Sequence, residues 1–429
     1  MLAHWAMAGE IVGPDRATSG CSGVQIGRAE SRLRTTPVAS GFSGGNIFRV
    51  DSAVNDAAED LSGQRAACSQ GRWALKAWPA SVTAPRILGV AARIRAAASD
   101  CDLLAPPLAR ADFDSTLVSV HGRHWELARW IPGEALSVDA PESAIANGAE
   151  AIALVHQAMN PTDFVDPMPG IPVSSSAAAC SPISFSPTAM STVPPSIAPP
   201  STTPRCLADR IERIERLSPL VNQAAQCMPP VSELAERLAG QLSAEQTGDA
   251  AVSADHCNEL AKLLVHASQW LARQWPATAP LLVERLRQHA AERLASAWVL
   301  RDVHRAHVLF DVGGRVQGIL DYDAVDCDSP AADLARWAGD FATTPQSSVG
   351  VAASPDHSPL RAAVAGYRRI RPFSQSEWEL AQTLIEVNRL GGLANWVVWL
   401  VLEGRRFPVA AQQIEGRIAH LIASDCRIC

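Results

Sequence analysis

Residues 299–323 read VLRDVHRAHVLFDVGGRVQGILDYD. Asp302, His304 and His307 precede the short apolar run Val308–Phe310, and Asp321 and Asp323 close the next run. Asp311-Val312-Gly313-Gly314 between the runs has tight-turn composition, so the two runs fold back on each other as a hairpin. The hairpin brings Asp302, His307 and Asp321 towards one edge. A carboxylate able to accept a proton then sits beside two candidate metal ligands. Phosphoryl transfer from a nucleotide wants that set: a metal neutralises phosphate charge while a carboxylate orients the attacking hydroxyl. Asp302, His304 and His307 do not have the H-E-x-x-H spacing of a zinc hydrolase.

A second signal is one of residue usage. Of 37 basic residues, all but Lys76 and Lys262 are arginine. An ammonium kept at 76 in such a chain marks a position where the point charge matters.

The elements that must position these groups fall into two regions. Residues 35–51 read as strand, Gly-rich turn, strand, and GRWALKAWP is another strand, closed by Pro79. Residues 85–99 have helical spacing, with Ile87, Val90 and Ile94 on one face. STLVSV and HWELARW alternate apolar and polar around His121-Gly122-Arg123, a hairpin signal. Together they predict a small sheet of five strands with one helix.

After IPGEAL the chain turns helical, over 142–159, 205–217, 230–242, 254–274 and 278–296. Ser329 and Pro330 suit the N-cap and first position of a further helix. Ser376 and Glu379 make a capping-box pattern before a long last helix, which Gly391-Gly392 would kink. His156, Trp396 and Trp399 read as core or helix-packing residues, and His304 as a brace for its loop. Residues 1–33 lack periodicity and read as a poorly ordered N-terminus. Residues 167–204 hold no charge and are crowded with Pro, Ser and Ala, the composition of a disordered insert.

Bulk properties narrow the class. Hydrophobic residues are 47% and charged ones 19%, which suits a chain with a real core. The net charge of −7 and the lack of a basic block argue against nucleic acid or an anionic membrane as partner. No apolar run is long enough to cross a bilayer, and the N-terminus lacks the basic flank of a signal peptide. The ten cysteines form no framework, and Cys426 and Cys429 stand without a second pair, so reduced thiols and a cytoplasmic location are expected.

Taken together, the motifs resemble the aminoglycoside phosphotransferase and choline kinase group, which has a protein-kinase-like fold. The group's catalytic stretch is H-G-D-x-x-x-x-N, a hairpin, and an apolar strand ending in I-D. Here it reads Leu300-Arg301-Asp302-Val303-His304-Arg305-Ala306-His307, the turn at 311–314, then Ile319-Leu320-Asp321. The stretch DSPAADLA from Asp328 resembles the group's D-P-x-x-D-L-A. The resemblance covers residues 35–160 and 205–400.

It implies an α+β, bilobal fold: a small antiparallel-sheet lobe over 34–131 and a mainly helical lobe over 132–429 carrying the catalytic hairpin 299–323. It implies transfer of a γ-phosphoryl group from ATP, with Mg²⁺ or alternatively Mn²⁺, to a hydroxyl of a small molecule. Asp302 would be the catalytic base. Asp321, with His307, would hold the metal. Gly41, Ser43, Gly44 and Gly45 would form the loop over the phosphates, and Lys76 would reach them. Arg129, Trp130 and Ile131 would be the hinge against adenine, with Glu134 near the ribose. Asp333 would hydrogen-bond the catalytic loop.

The chain departs from the group's pattern in three places. His307 stands for Asn, Leu300-Arg301 stands for His-Gly, and residues 85–99 offer no acid to pair with Lys76. The missing helix acid and the change to His307 favour a second reading, a kinase-like protein that binds nucleotide or a partner without turnover. Asp302, Lys76 and Asp321 oppose it.

Overall fold

The computed structural model describes residues 32–38, 46–53, 72–108, 116–161, 204–242, 254–292, 294–341, 359–407, 409 and 411–423. The N-terminal stretch to residue 31, the Gly-rich turn at 41–45 and residues 162–203 lie outside the described residues.

The first region is one antiparallel sheet. Its strands are β1 (Arg32–Val38), β2 (Asn46–Ala53), β3 (Arg72–Ala77), β4 (Val118–Val120) and β5 (Arg123–Arg129), in the order β1-β2-β3-β5-β4. Helix α1 (Ala84–Ala98) follows β3. The two-residue period of a strand decides which side chains reach which face. Val50, Leu75, Val118 and Leu127 are buried together, with Phe48, Trp73 and Trp125 packed on them. Lys76 and Glu126, cross-strand partners in the next register, therefore project from the other face.

The rest is mainly helical: α2 (Glu142–Met159), α3 (Arg205–Gln226), α4 (Val231–Leu242), α5 (Ala254–Ala290), α6 (Pro330–Gly339), α7 (Pro359–Tyr367), α8 (Gln375–Val397) and α9 (Ala411–Ala423). One hydrophobic core runs through them, with Ile152, Leu217, Leu264, Leu334 and Leu384 among its buried members. Among the helices lie β6 (Glu134–Ala135), β7 (Ala297–Val299), β8 (Val308–Phe310), β9 (Val316–Ile319) and β10 (Asp326–Asp328). β8 pairs with β9 as the predicted hairpin, and β7 pairs with β10. β6 adds to β8 through Glu134 and Phe310, a short edge that IPGEAL does not announce. The α+β class and the split between sheet and helices are those expected.

Local expectations shift in four places. The two helices expected over 254–296 are one, α5, running through Pro276 and Pro280. Buried Leu271, Trp275, Ala279 and Leu282 hold it in place where proline weakens it. Likewise α3 runs past Pro219 to Gln226. The capping box of α8 is Ser374 with Glu377, two residues before the expected pair. Both pairs have the right spacing, but burial of Phe373 just ahead fixes the entry at 374. Gly391-Gly392 does not break α8, and the departure from α geometry is a π-helical turn over Val398–Leu402.

Two glycines let helices approach closely. A Cβ at Gly366 of α7 would fall on the backbone of Ala146 in α2, and one at Gly148 on the ring of Trp337. Gly366→Ala is expected to cost about 2 kcal/mol or more by chemical denaturation. Gly240→Ala, in a helix with nothing within 4 Å of the added Cβ, should gain up to about 1 kcal/mol instead.

Candidate active site

The loop carrying Asp302 is fixed by a buried carboxylate. Asp333, fully buried on α6, accepts from the amide of Leu300 at 2.7 Å and from that of Arg301 at 2.7 Å. Its third partner is His156 Nε2 at 2.8 Å. The other ring nitrogen of His156 lies 2.8 Å from the Tyr367 hydroxyl, and Arg371 donates to that hydroxyl at 2.7 Å. Arg371 can only donate, so the chain has one direction: Arg371 to Tyr367, Tyr367 to Nδ1, and Nε2–H to Asp333. Burial lowers the His156 pKa despite the pull of Asp333, so the ring stays neutral. Asp333 hydrogen-bonds the loop as expected, and His156, buried in the core as expected, also serves as a polar link.

Arg301 has φ 65°, a conformation that favours glycine. The resembled group has Gly here, which adopts it without strain. In this chain the guanidinium offsets the strain through Asp328, at 3.0 Å, and Asp209, at 2.5 Å.

The hairpin brings Asp302, His307 and Asp321 to one edge, as expected. The amide of Leu320 donates to the carbonyl of His307 at 2.7 Å, closing the two strands beside them. His307 Nδ1 lies 2.8 Å from the Asp302 carbonyl oxygen, and Nε2 faces Asp321 Oδ2 at 3.6 Å. His304 stacks on His307 with ring centroids 3.7 Å apart. Burial, then the neighbouring His307 and Arg417, push His304 down to about 2, and burial also lowers His307. Burial thus disfavours the charged form of both rings.

Lys76 reaches the same edge from β3. Its Nζ lies 3.1 Å from Asp321 Oδ1, forms an ion pair with Asp323, and sits 4.6 Å from the centre of the Trp78 ring. Helix α1 supplies no acid. Its Arg86 donates instead to the carbonyls of Asp323, at 3.3 Å, and Val325, at 2.6 Å. The carboxylates that orient Lys76 come from the end of the hairpin.

Negative charge is in surplus here. Asp321, Asp323 and Glu126 all act on the one ammonium. Burial alone would lower the Lys76 pKa, and the three carboxylates raise it overall. Asp321 is held below its ordinary range: Lys76 and His307 outweigh its burial. Asp323 goes up to about 6, from burial first and despite Lys76, with Asp321 adding to the rise. Such a surplus suits a hard divalent cation. Among the described residues no three His, Cys, Asp or Glu side chains gather to hold a metal alone. The residues fit an ion that takes Asp321 from the protein and the rest of its shell from phosphate and water.

These groups open into a cavity of about 2030 Å³. Ala128, Arg129, Trp130 and Ile131 line it beside Lys76. The Trp130 amide donates to the Arg72 carbonyl at 3.1 Å, so that hinge donor is already used. Glu134 is exposed on β6. The expected phosphate loop, Gly41, Ser43, Gly44 and Gly45, lies outside the described residues. Asp302 itself is ion-paired with Arg336 of α6, which sequence reasoning missed. Trp396 and Trp399 also line the cavity, so they are not packing residues alone. Two other partners were missed. Asp323 stood two places from Asp321 in plain view, and Glu126 follows from cross-strand pairing once β3 and β5 are aligned.

A profile of the phosphotransferase enzyme family matches residues 52–373. The chain belongs to that family. Among solved structures it is similar to an aminoglycoside phosphotransferase from Alicyclobacillus acidocaldarius, at 13% identity and a TM-score of 0.44 over 94% of this chain and 96% of that one. It is similar to a Plasmodium vivax ethanolamine kinase at 13% identity and a TM-score of 0.42, over 92% and 83% of the two chains. The amicoumacin kinase hAmiN, solved with AMP-PNP, Ca²⁺ and Ami, gives 10% identity and a TM-score of 0.45 over 89% and 91%. No curated protein matches the chain. At these scores the likenesses decide nothing about substrate. Among the described residues no helix is long and apolar enough to cross a membrane.

The charge surplus predicts a pH signature. Burial, the largest influence, lifts Glu126 from 4.5 to about 7 against the attraction of Lys76. A carboxyl raised on folding makes the folded state bind more protons, so its contribution to stability falls as pH rises from about 4.5 to about 7. Denaturation across that window should show wild type losing stability relative to Glu126→Gln. Parallel curves would contradict the assignment.

Proposed function

We propose that this chain is an ATP-dependent phosphotransferase acting on a hydroxyl of a small molecule. The observation that carries the reading is the convergence on one cavity of Lys76, from the sheet, with Asp302 and Asp321, from the two ends of the hairpin. Lys76 would bind the α- and β-phosphates, and Asp321, with His307 Nε2 beside it, would hold Mg²⁺ or Mn²⁺. When bound, the metal neutralises phosphate charge. With the Trp130 amide committed to Arg72, the hinge meets adenine through the backbone of Arg129 and Ile131.

Asp302 accepts the hydroxyl hydrogen of the acceptor. The acceptor oxygen bonds to the γ-phosphorus as the bond from that phosphorus to the β-phosphate oxygen breaks. The proton passes to Asp302, and ADP leaves. His307, tied to the Asp302 backbone, sets the distance between the base and Asp321.

The Arg336–Asp302 ion pair favours a second reading, in which nucleotide binds and no transfer follows. Two measurements separate them. ATP with Mg²⁺ or Mn²⁺ should raise the melting temperature, and labelled phosphate should pass to an acceptor in a panel of hydroxylated compounds. Asp302→Asn should then reduce transfer by about 10²–10⁴-fold while nucleotide stabilisation persists. Stabilisation without transfer to any acceptor supports the second reading. Absence of stabilisation by any nucleotide removes both.

A further inference from the structure

The cavity extends past Asp302 into the helical region, and its charge reverses there. Arg213 of α3, Arg336 of α6 and Arg417 of α9 all line it. Arg210, one turn before Arg213, acts on the same charges. We infer that this half of the cavity binds an anionic acceptor, a hydroxylated phosphate ester or carboxylate, through Arg213, Arg336 and Arg417. The inference rests on the phosphotransferase reading and specifies its acceptor.

Several observations bear on it. Arg213 donates to the Gly391 carbonyl at 3.2 Å, and Arg210 to the Asn388 amide oxygen at 2.9 Å. Both of these partners are neutral, so they orient the guanidinium groups without cancelling their charge. A Cβ at Gly391 would lie 3.4 Å from Arg213 Nε, so the side chain lies close along α8. Arg336 pairs with Asp302, yet its Nε is buried and makes no hydrogen bond. A buried donor of this kind costs stability unless a ligand satisfies it. Burial, then repulsion from Arg210, Arg213 and Arg417, lowers Arg336 to about 9, and burial with Arg210 and Arg216 lowers Arg213 to about 10. Four acids, Glu292, Asp340, Glu379 and Glu386, line the same cavity, and two of them are engaged by other groups. Glu386 pairs with Arg285 at 3.0 Å, and Asp340 accepts from the Arg305 amide at 3.1 Å.

A polycationic or quaternary-amine acceptor entering here would meet like charge at Arg213, Arg336 and Arg417. An anion would meet planar guanidinium groups, whose paired N–H donors match a carboxylate or phosphate. It would also compete with Asp302 for Arg336. Binding the acceptor would release the carboxylate that its hydroxyl needs.

The test uses the full chain and three groups of probes: glucose 6-phosphate, 3-phosphoglycerate and gluconate; glucose and glycerol; kanamycin and choline. Binding is read by calorimetry and transfer by labelled phosphate from ATP. At least one anionic probe should bind in preference to the neutral and cationic ones. Arg213→Gln and Arg417→Gln should each weaken that binding about tenfold. Arg213→Lys should recover part of it. Far-UV circular dichroism of each variant shows that it is folded.

Preference for kanamycin or choline, no binding of any anionic probe, or unchanged binding in both Gln variants overturns the inference. Those results leave the phosphotransferase reading standing if Mg·ATP still stabilises the protein. Anion binding that is lost in the Gln variants, in a protein that no nucleotide stabilises, keeps the anion site and removes the phosphotransferase reading.

Discussion

The site hangs from one buried carboxylate. Asp333 is surrounded by protein, and an ion there survives only if several donors face it. Three do: two consecutive backbone amides and a neutral imidazole. The same hydrogen bonds that make the charge tolerable fix the backbone immediately before Asp302. They also join α6 to α2 and, through Tyr367, to α7. Because Arg301 is held in a conformation that glycine prefers, the loop needs such an anchor, and the Asp328 and Asp209 carboxylates supply a second one. The arginine that departs from the resembled motif is thus built into the scaffold by its charge.

From that anchor the cavity divides by sign. Around Lys76 there are more carboxylates than cations, and burial strengthens every interaction between them. Beyond Asp302, Arg213, Arg336 and Arg417 line the cavity together. A metal–phosphate group suits the first end and an anionic acceptor the second. Asp302 and Arg336 sit at the boundary, each the other's counter-ion. A cavity with charge arranged this way orients a ligand pair before any contact is made.

Much of this was legible in the sequence because it is local. Strand alternation and the hairpin turn depend on neighbours, so the sheet and the 299–323 ribbon could be read directly. Asp302, His307 and Asp321 followed from that ribbon, and Lys76 from its rarity. Long-range pairings left no such trace. Lys76 meets Asp323 across 247 positions, Asp302 meets Arg336 across 34, and His156 meets Asp333 across 177. None of these has a periodic signature. The prolines in α5 misled because local cost was weighed without the tertiary packing that overrides it. The α8 cap misled because two Ser-x-x-Glu pairs overlap and only burial of Phe373 separates them. The acceptor arginines come from three helices, α3, α6 and α9, so their convergence is a property of packing alone.

The most direct measurement is a crystal structure with a non-hydrolysable ATP analogue and Mn²⁺, whose anomalous signal locates the ion. The account predicts Mn²⁺ on Asp321, Lys76 drawn from Asp323 onto the phosphates, and Asp302 facing the terminal phosphate. An ion bound away from Asp321, with the triphosphate touching neither Lys76 nor the space before Asp302, would contradict it.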